Sequence, residues 1–454
     1  MSGLPVRLVS LAAAVAFVQL PALDPKPDVH VVVSVLAKRA LERPVAGLSI
    51  AIARNGVVTE SRGFGFADVE TKTPVTPTTV FHIASISKNI LAGAVLKLVE
   101  EGRLSLDADI TTYVPDAPTH GRRVTLRHLL SHTSGLFSYT AVPDADANEA
   151  LDLSHEQVLA LVKDRPEQFA PGASWQYSNT GSYLAGMAIE RVTGTTYAAF
   201  LRERIFTPLG MTSSSLCTAR DTVPGLARGY AVRDGHLGAV TSAAWTVPFA
   251  GGGVCATAAD LIRWQRALDG GWFLSRASVD LMRAATTLAD GTPIDYGLGT
   301  RRGSLQGHAM VGHTGSGNGF TTVLETFPDD RLTIVVLANT EPARPTAIAA
   351  AIARSALELA PPPFTGSDVP ADEMAALAGR FESEDGPIEN YACGSEICFR
   401  PVGATQGQAA KRQAPFVYLV DADTEVRFRR PPLPVEWGFV YSGGLFSDAA
   451  RRIR

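Results

Sequence analysis

The sequence predicts an α+β fold: an antiparallel sheet whose halves come from the two ends of one long segment, flanked by helices, with a mostly helical subdomain between them and a small all-β barrel-like unit after it. Three observations predict it. β-Branched and aromatic runs occur at residues 48–65 and again at 308–338. Helical spacing and loop composition fill most of residues 105–270 between them. Beyond Pro361-Pro362-Pro363, short strand patterns recur at hairpin spacing, with no helix expected after about Ala378. A chain of 454 residues, 46% hydrophobic and 19% charged, can bury a large core, which excludes disordered, collagen-like and coiled-coil classes. The formal charge of −4, from 41 Lys+Arg against 45 Asp+Glu without a basic stripe, argues against a nucleic-acid partner.

Residues 1–22 read as a secretory leader. Arg7 follows a polar start, Leu8 to Leu20 is apolar apart from Ser10 and Gln19, and cleavage is expected near Ala22. Thirteen apolar residues are too few to span a bilayer, which takes roughly 20. The expected location is therefore periplasmic or extracellular, without a transmembrane anchor once the leader is removed. The main domain is expected over residues 28–360. It opens with a helix from Val29 to about Glu42 and a strand pair, Leu48 to Ala53 and Val57 to Gly65, around the turn Asn55-Gly56. A helix from about Ser85 to Glu101 follows, closed by Gly102. Further helices are expected near Leu126 to Leu130, His155 to Val162, Ser182 to Val192 and Tyr197 to Ile205. Strands return at His308 to Gly312, Phe320 to Phe327 and Leu332 to Ala338, before a helix from Pro345 to Leu359. Residues 361–372 read as a linker and 373–454 as the all-β domain. Of the four cysteines, Cys393 and Cys398 can clip a hairpin, while Cys217 and Cys255 can pair or stay free and buried. Zinc at Cys393 and Cys398 lacks a nearby His or second Cys pair, so no metal is expected there.

Three short motifs carry chemistry. Ser85 and Lys88 stand three residues apart at a helix start, so hydroxyl and amine share one helical face. That spacing suits a serine nucleophile deprotonated by a lysine, whose ammonium form burial and the helix N-terminus both disfavour. Tyr177 and Asn179 precede an apolar helix, where a phenol can pass a proton and an amide can hold substrate, although Ser178 or Asn179 could equally serve as a helix cap. His313-Thr314-Gly315-Ser316 ends a strand among glycines, which leaves room for a substrate backbone at a sheet edge, or marks a glycine-rich bend. Each is weak alone.

In this order the motifs resemble those of the penicillin-recognising serine hydrolase superfamily, the class C β-lactamase and D-alanyl-D-alanine carboxypeptidase group. Leu126 to Leu136, Gly251-Gly252-Gly253-Val254-Cys255-Ala256-Thr257 and Tyr296-Gly297-Leu298-Gly299 add to the resemblance, which covers residues 30–360. It implies a β-lactamase/transpeptidase-like fold and a covalent acyl-enzyme on Ser85, with Lys88 assisting deprotonation and Tyr177 serving the leaving group. Asn179, His313, Thr314 and Gly315 would bind substrate, and the backbone N–H groups of Ser85 and Ser316 would form the oxyanion hole. His128 and His132 fall to the scaffold. No cofactor or metal is implied, and the partner would be a peptide or small-molecule substrate; oligomeric state is left open. His313 stands where typical β-lactamases carry Lys, a departure shared with D-stereospecific peptidases and carboxypeptidases. A titrating imidazole there would make preference for carboxylate-bearing substrates depend on pH, whereas a neutral one would hydrogen-bond Tyr177. Amide, ester and β-lactam substrates, and a penicillin-binding module that does not turn over, all remain compatible. The last 80 or so residues are similar in pattern to a lipocalin-like barrel. No Gly-x-Ser-x-Gly occurs, which removes the α/β-hydrolase esterases. In His128-x3-His132, Leu129 stands where a zinc peptidase needs its Glu.

Overall fold

A computed structural model of the chain describes residues 28–142, 151–217, 223–233, 235–240, 247–341, 343–360, 365–383, 386–421, 424–429, 438–442 and 447–453. The expected leader and the Pro361-Pro362-Pro363 run lie outside these residues. Helix α1 (Val29–Leu41) starts where the Asp28 carboxylate caps the His30 N–H. Strands β1 (Gly47–Arg54) and β2 (Val57–Asp68) turn at Asn55 and Gly56, both at positive φ, as a two-residue hairpin requires. Together with β3 (Thr73–Pro74), β4 (Arg301–Leu305), β5 (His308–Gly317), β6 (Phe320–Phe327) and β7 (Leu332–Ala338), they form one antiparallel sheet in the order β4-β5-β6-β7-β1-β2-β3. The two ends of the segment therefore meet at its centre, with Leu48 opposite Ala338 and Arg54 opposite Leu332.

Alternation along these strands divides the core. Leu48, Ile50, Ile52, Val323, Phe327, Ile334 and Val336 pack under α1 and α6 (Pro345–Ala356). On the opposite face Ala51, Ala53, Leu324, Val335 and Leu337 join the larger core built from α2 (Ser87–Glu100), α4 (Asn179–Thr193) and α5 (Ala258–Asp269). Helix α3 (Leu126–Leu130) is fixed by a reciprocal cap in which His128 Nδ1 accepts the Thr125 N–H and Thr125 Oγ1 accepts the His128 N–H. The region expected to be helical and loop-like also holds short strands, including Tyr230–Arg233, His236–Ala239 and Val254–Ala256. These pair with partners distant in sequence or across very short turns, and so lack the length that makes periodicity legible.

The C-terminal strands β8 (Gly379–Ser383), β9 (Gly386–Cys393), β10 (Glu396–Pro401), β11 (Gln408–Ala414), β12 (Val417–Asp421), β13 (Thr424–Arg429), β14 (Gly438–Ser442) and β15 (Ser447–Ile453) pair each with the next, and β15 returns to β8 to close a barrel. Helix α7 (Ala371–Leu377) straddles the expected boundary between linker and barrel. Glu373 binds it to the barrel by accepting from Arg412 and the Phe416 N–H, and Leu377 is buried against Phe381, Ile397 and Tyr418. Cys217 is bonded to Cys255 and Cys393 to Cys398. Among the described residues no helix is long and apolar enough to cross a membrane.

Candidate active site

Ser85 lies on the 3-10 turn Ala84–Ile86, between the short strand Phe81–His82 and α2. That strand pairs with Val254–Ala256, and the Ile83 N–H donates to Val254 O, which fixes the approach to the turn. Ala84 holds φ +45°, a left-handed conformation that a residue with a Cβ adopts only when its surroundings impose it. Ser87 Oγ accepts the Val254 N–H at 3.1 Å, and α2 begins there. One turn on from Ser85, Lys88 is 1% exposed, with Nζ 3.0 Å from Ser85 Oγ and 2.7 Å from Gly251 O. The Gly251 carbonyl fixes one N–H of the amine, which aims another position of the nitrogen at the serine. A Cβ on Gly251 would stand 3.6 Å from Lys88 Nζ and 3.5 Å from Asn179 Oδ1, so these groups converge there.

Tyr177 stands beside this pair, with Lys88 Nζ 4.7 Å and the Arg301 guanidinium 5.7 Å from its ring centre. Asn179 opens α4, its N–H donating to Ser138 Oγ and its Nδ2 to Thr140 Oγ1, both at 3.0 Å. On the far side, pairing of β5 with β4 stops at Gly312 opposite Arg301, while pairing with β6 runs on to Gly317 opposite Phe320. His313 to Gly317 therefore present a sheet edge. Gly315 lies so close to the turn that carries Ser85 that a Cβ would fall 2.4 Å from Ile83 O and 3.1 Å from Ala84 Cβ, which leaves no room for another residue. Ser316 Oγ donates to Glu341 Oε1 at 2.7 Å, and the Gly319 N–H donates to Oε2 at 3.2 Å.

His313 is fully buried, and burial first, with the Arg301 cation and Lys88 when it is protonated, holds its imidazole well below the ordinary value. The ring is neutral around pH 7, and its Nε2 meets Tyr296 Oη at 2.9 Å rather than the Tyr177 hydroxyl. A titrating carboxylate partner at this position is not what the geometry provides. His132, assigned to the scaffold, stacks on Tyr177 with ring centres 4.1 Å apart and is likewise held neutral by burial, Lys88 and Arg301. The sequence motifs thus converge on one cleft, joined by His132, Tyr296, Arg301, Glu341 and the Gly251 carbonyl. Tyr296 and Gly251 lie in segments singled out only for their resemblance, while Arg301 and Glu341 carry no local signal.

A sheet edge set against a buried helix start, with serine and lysine one turn apart, defines a serine hydrolase of the acyl-transferring kind. More particularly, the chain belongs to the β-lactamase family, whose model matches residues 32–358. It is 30% identical over 309 residues to a penicillin-binding protein of Bacillus subtilis, covering 64% of this chain and 68% of that one. It is also 30% identical over 302 residues to a D-aminopeptidase of Gluconobacter oxydans, covering 65% of this chain but only 56% of that enzyme's length. Among solved structures, an octameric penicillin-binding protein homologue from Pyrococcus abyssi is similar over 94% of this chain and 100% of its own, with a TM-score of 0.67 at 25% identity.

Proposed function

We propose that this protein hydrolyses amides or esters of D-amino acids that carry a free α-amino group, through an acyl-enzyme on Ser85. The observation that carries the reaction is the 3.0 Å contact between Lys88 Nζ and Ser85 Oγ. Ser85 Oγ attacks the scissile carbonyl carbon as its proton passes to Lys88. The oxyanion is received by the N–H groups of Ser85 and Ser316, and such a donor is typically worth about 3 to 4 kcal/mol. Proton return through Tyr177 lets the amine or alcohol leave, and water then cleaves the ester to free Ser85. Asn179, Thr314 and the strand edge at Gly315 hold the acyl part.

Two features support the choice of substrate. His313 offers no positive charge to a terminal carboxylate. The Glu341 carboxylate, held by Ser316 Oγ, places negative charge at the strand edge, where an ammonium is favoured and an anion opposed. The resemblance to a D-aminopeptidase agrees. The two disulfides support an oxidising compartment, in keeping with the leader expected at residues 1–22.

The test is a panel of D-alaninamide, its N-acetyl derivative, D-Ala-D-Ala and nitrocefin, together with a fluorophosphonate adduct mapped by mass spectrometry. D-Alaninamide should be turned over best, and the adduct should sit on Ser85 and vanish in Ser85→Ala. Preference for the N-acetyl or carboxylate-bearing compounds would overturn the substrate assignment, and an adduct elsewhere would overturn the mechanism.

A further inference from the structure

Between the second and third motifs runs a line of four hydrogen bonds for which the reaction has no use. The Ser178 N–H donates to His132 Nδ1 at 3.2 Å. His132 Nε2 lies 3.1 Å from Tyr296 Oη, which lies 2.9 Å from His313 Nε2. His313 Nδ1 lies 2.6 Å from Thr314 O. All three side chains are buried: His132 is 1%, Tyr296 2% and His313 0% exposed.

Both ends of this line are backbone groups, whose polarity cannot reverse. An amide N–H can only donate, so His132 Nδ1 keeps its lone pair and the ring's proton sits on Nε2, directed at Tyr296. A carbonyl can only accept, so His313 carries its proton on Nδ1 and leaves the Nε2 lone pair for the tyrosine O–H. One hydroxyl therefore accepts from the first imidazole and donates to the second. Such a line has no group at either end that can take or give up a proton, so it conducts none. It does connect the two walls of the cleft: Ser178 lies between Tyr177 and Asn179, and Thr314 lies between His313 and Gly315.

Taking Ser85, Tyr177 and the β5 edge to act as proposed, we infer that Tyr296 is a positioning residue whose hydroxyl sets the spacing between the Tyr177 wall and the third-motif strand and fixes His132 and His313 in opposite neutral tautomers. The charged groups that act on His313 are the Arg301 cation and, when protonated, Lys88; the rings of Tyr177 and Tyr296 face it, and His132 joins it through Tyr296. The Tyr296 O–H holds the Nε2 lone pair, so removing that hydroxyl favours protonation of His313 and releases the wall from its register.

The first measurement needs no substrate: long-range 15N–1H correlation of the 15N-histidine-labelled full chain. In the wild type, His132 should be the Nε2–H tautomer and His313 the Nδ1–H tautomer, both neutral from about pH 5 to 8, a range that brackets the ordinary imidazole value. The second is kcat and KM for D-alaninamide against pH in wild type and Tyr296→Phe. The variant should lose on the order of 10- to 100-fold in kcat, the scale of misplacement within an active site, with a smaller change in KM, and its acid limb should move toward neutrality. A protonated or Nε2–H His313 in the wild type would overturn the inference, as would a variant with unchanged kcat and an unchanged acid limb. Loss of the Ser85 adduct would instead count against the hydrolytic scheme, since the tautomers are read independently of it.

Discussion

Two polar clusters flank Tyr177, and they are built differently. Ser85 and Lys88 are three residues apart and meet across one helical turn, whereas His132, Tyr296 and His313 come together over sequence separations of 164 and 17 residues. In the proposed reaction the local pair exchanges a proton, and the assembled rings do not. Lys88 is as deeply buried as the three rings, while Ser85 is only partly buried, so burial of the amine alone does not separate the two clusters. What decides is the partner. Lys88 has a hydroxyl that can lose its proton, while the imidazoles end on backbone amides that cannot. The disulfides repeat the contrast, one closing a hairpin between Cys393 and Cys398, the other joining Cys217 to Cys255 across 38 residues.

The sharpest way to break this contrast is to remove the local partner. Lys88→Ala and Tyr177→Phe should each lower kcat by ~10²- to 10⁴-fold, the range for positioned acid–base groups. If the two act as one unit, the double variant should be hardly worse than the worse single one. A double loss equal to the product of the single losses would show two separate functions.

A smaller effect is expected from the disulfides. Replacing Cys217 and Cys255 by alanine should cost about 4 kcal/mol of stability, against about 2 for Cys393 and Cys398, from the chain entropy of the loops they close. Cys255 also lies opposite His82, on the strand that leads into the turn carrying Ser85, so losing the first pair should lower activity and losing the second should leave it intact. Urea unfolding and turnover of both double variants give the ranking, and a larger loss from the hairpin pair would reverse it.

The response to acid draws on a third set of groups. Burial lowers His82 to about 4 and also depresses His128, His132 and His313. As the pH falls from about 6.5 toward 4, the unfolded chain binds protons that these folded rings refuse, so stability is lost through that window. His82 alone accounts for about 3 kcal/mol across it. Buried Glu325 and Asp260, whose carboxyls are raised, act in the opposite sense but are fewer. The urea midpoint should therefore drop between about pH 6.5 and 5, values set by the ordinary imidazole range; a flat profile would mean that the rings are solvated.

The same division governs how much the sequence revealed. Hydrophobic period and turn chemistry exposed β6 and β7 to the residue and β1 to within one residue at each end, because each is long enough to show its period, whereas β2 runs three residues further than expected and α6 stops three residues earlier. The Ser85-x-x-Lys88, Tyr177-x-Asn179 and His313-Thr314-Gly315 motifs were visible for a different reason, their order along the chain and the family resemblance it carries, since each is weak alone. Arg301 and Glu341 were not, since one becomes part of the site only when a strand pair ends beside it and the other only through Ser316. His132 was read with His128 as part of the scaffold, and nothing near it in sequence announces Tyr177 or Tyr296. The charge state of His313 likewise depended on burial and on cations supplied by distant segments.

Ala84 adds a mechanical consequence. Its left-handed backbone, at φ +45°, stores on the order of 1 to 3 kcal/mol, and the close approach of Gly315 on one side and the start of α2 on the other keep it wound. Ser85, the proposed nucleophile, is thus mounted on a preloaded joint. Warming that slackens the strand edge should let this joint unwind before the sheet itself gives way, so activity is expected to fall at a lower temperature than the fold melts.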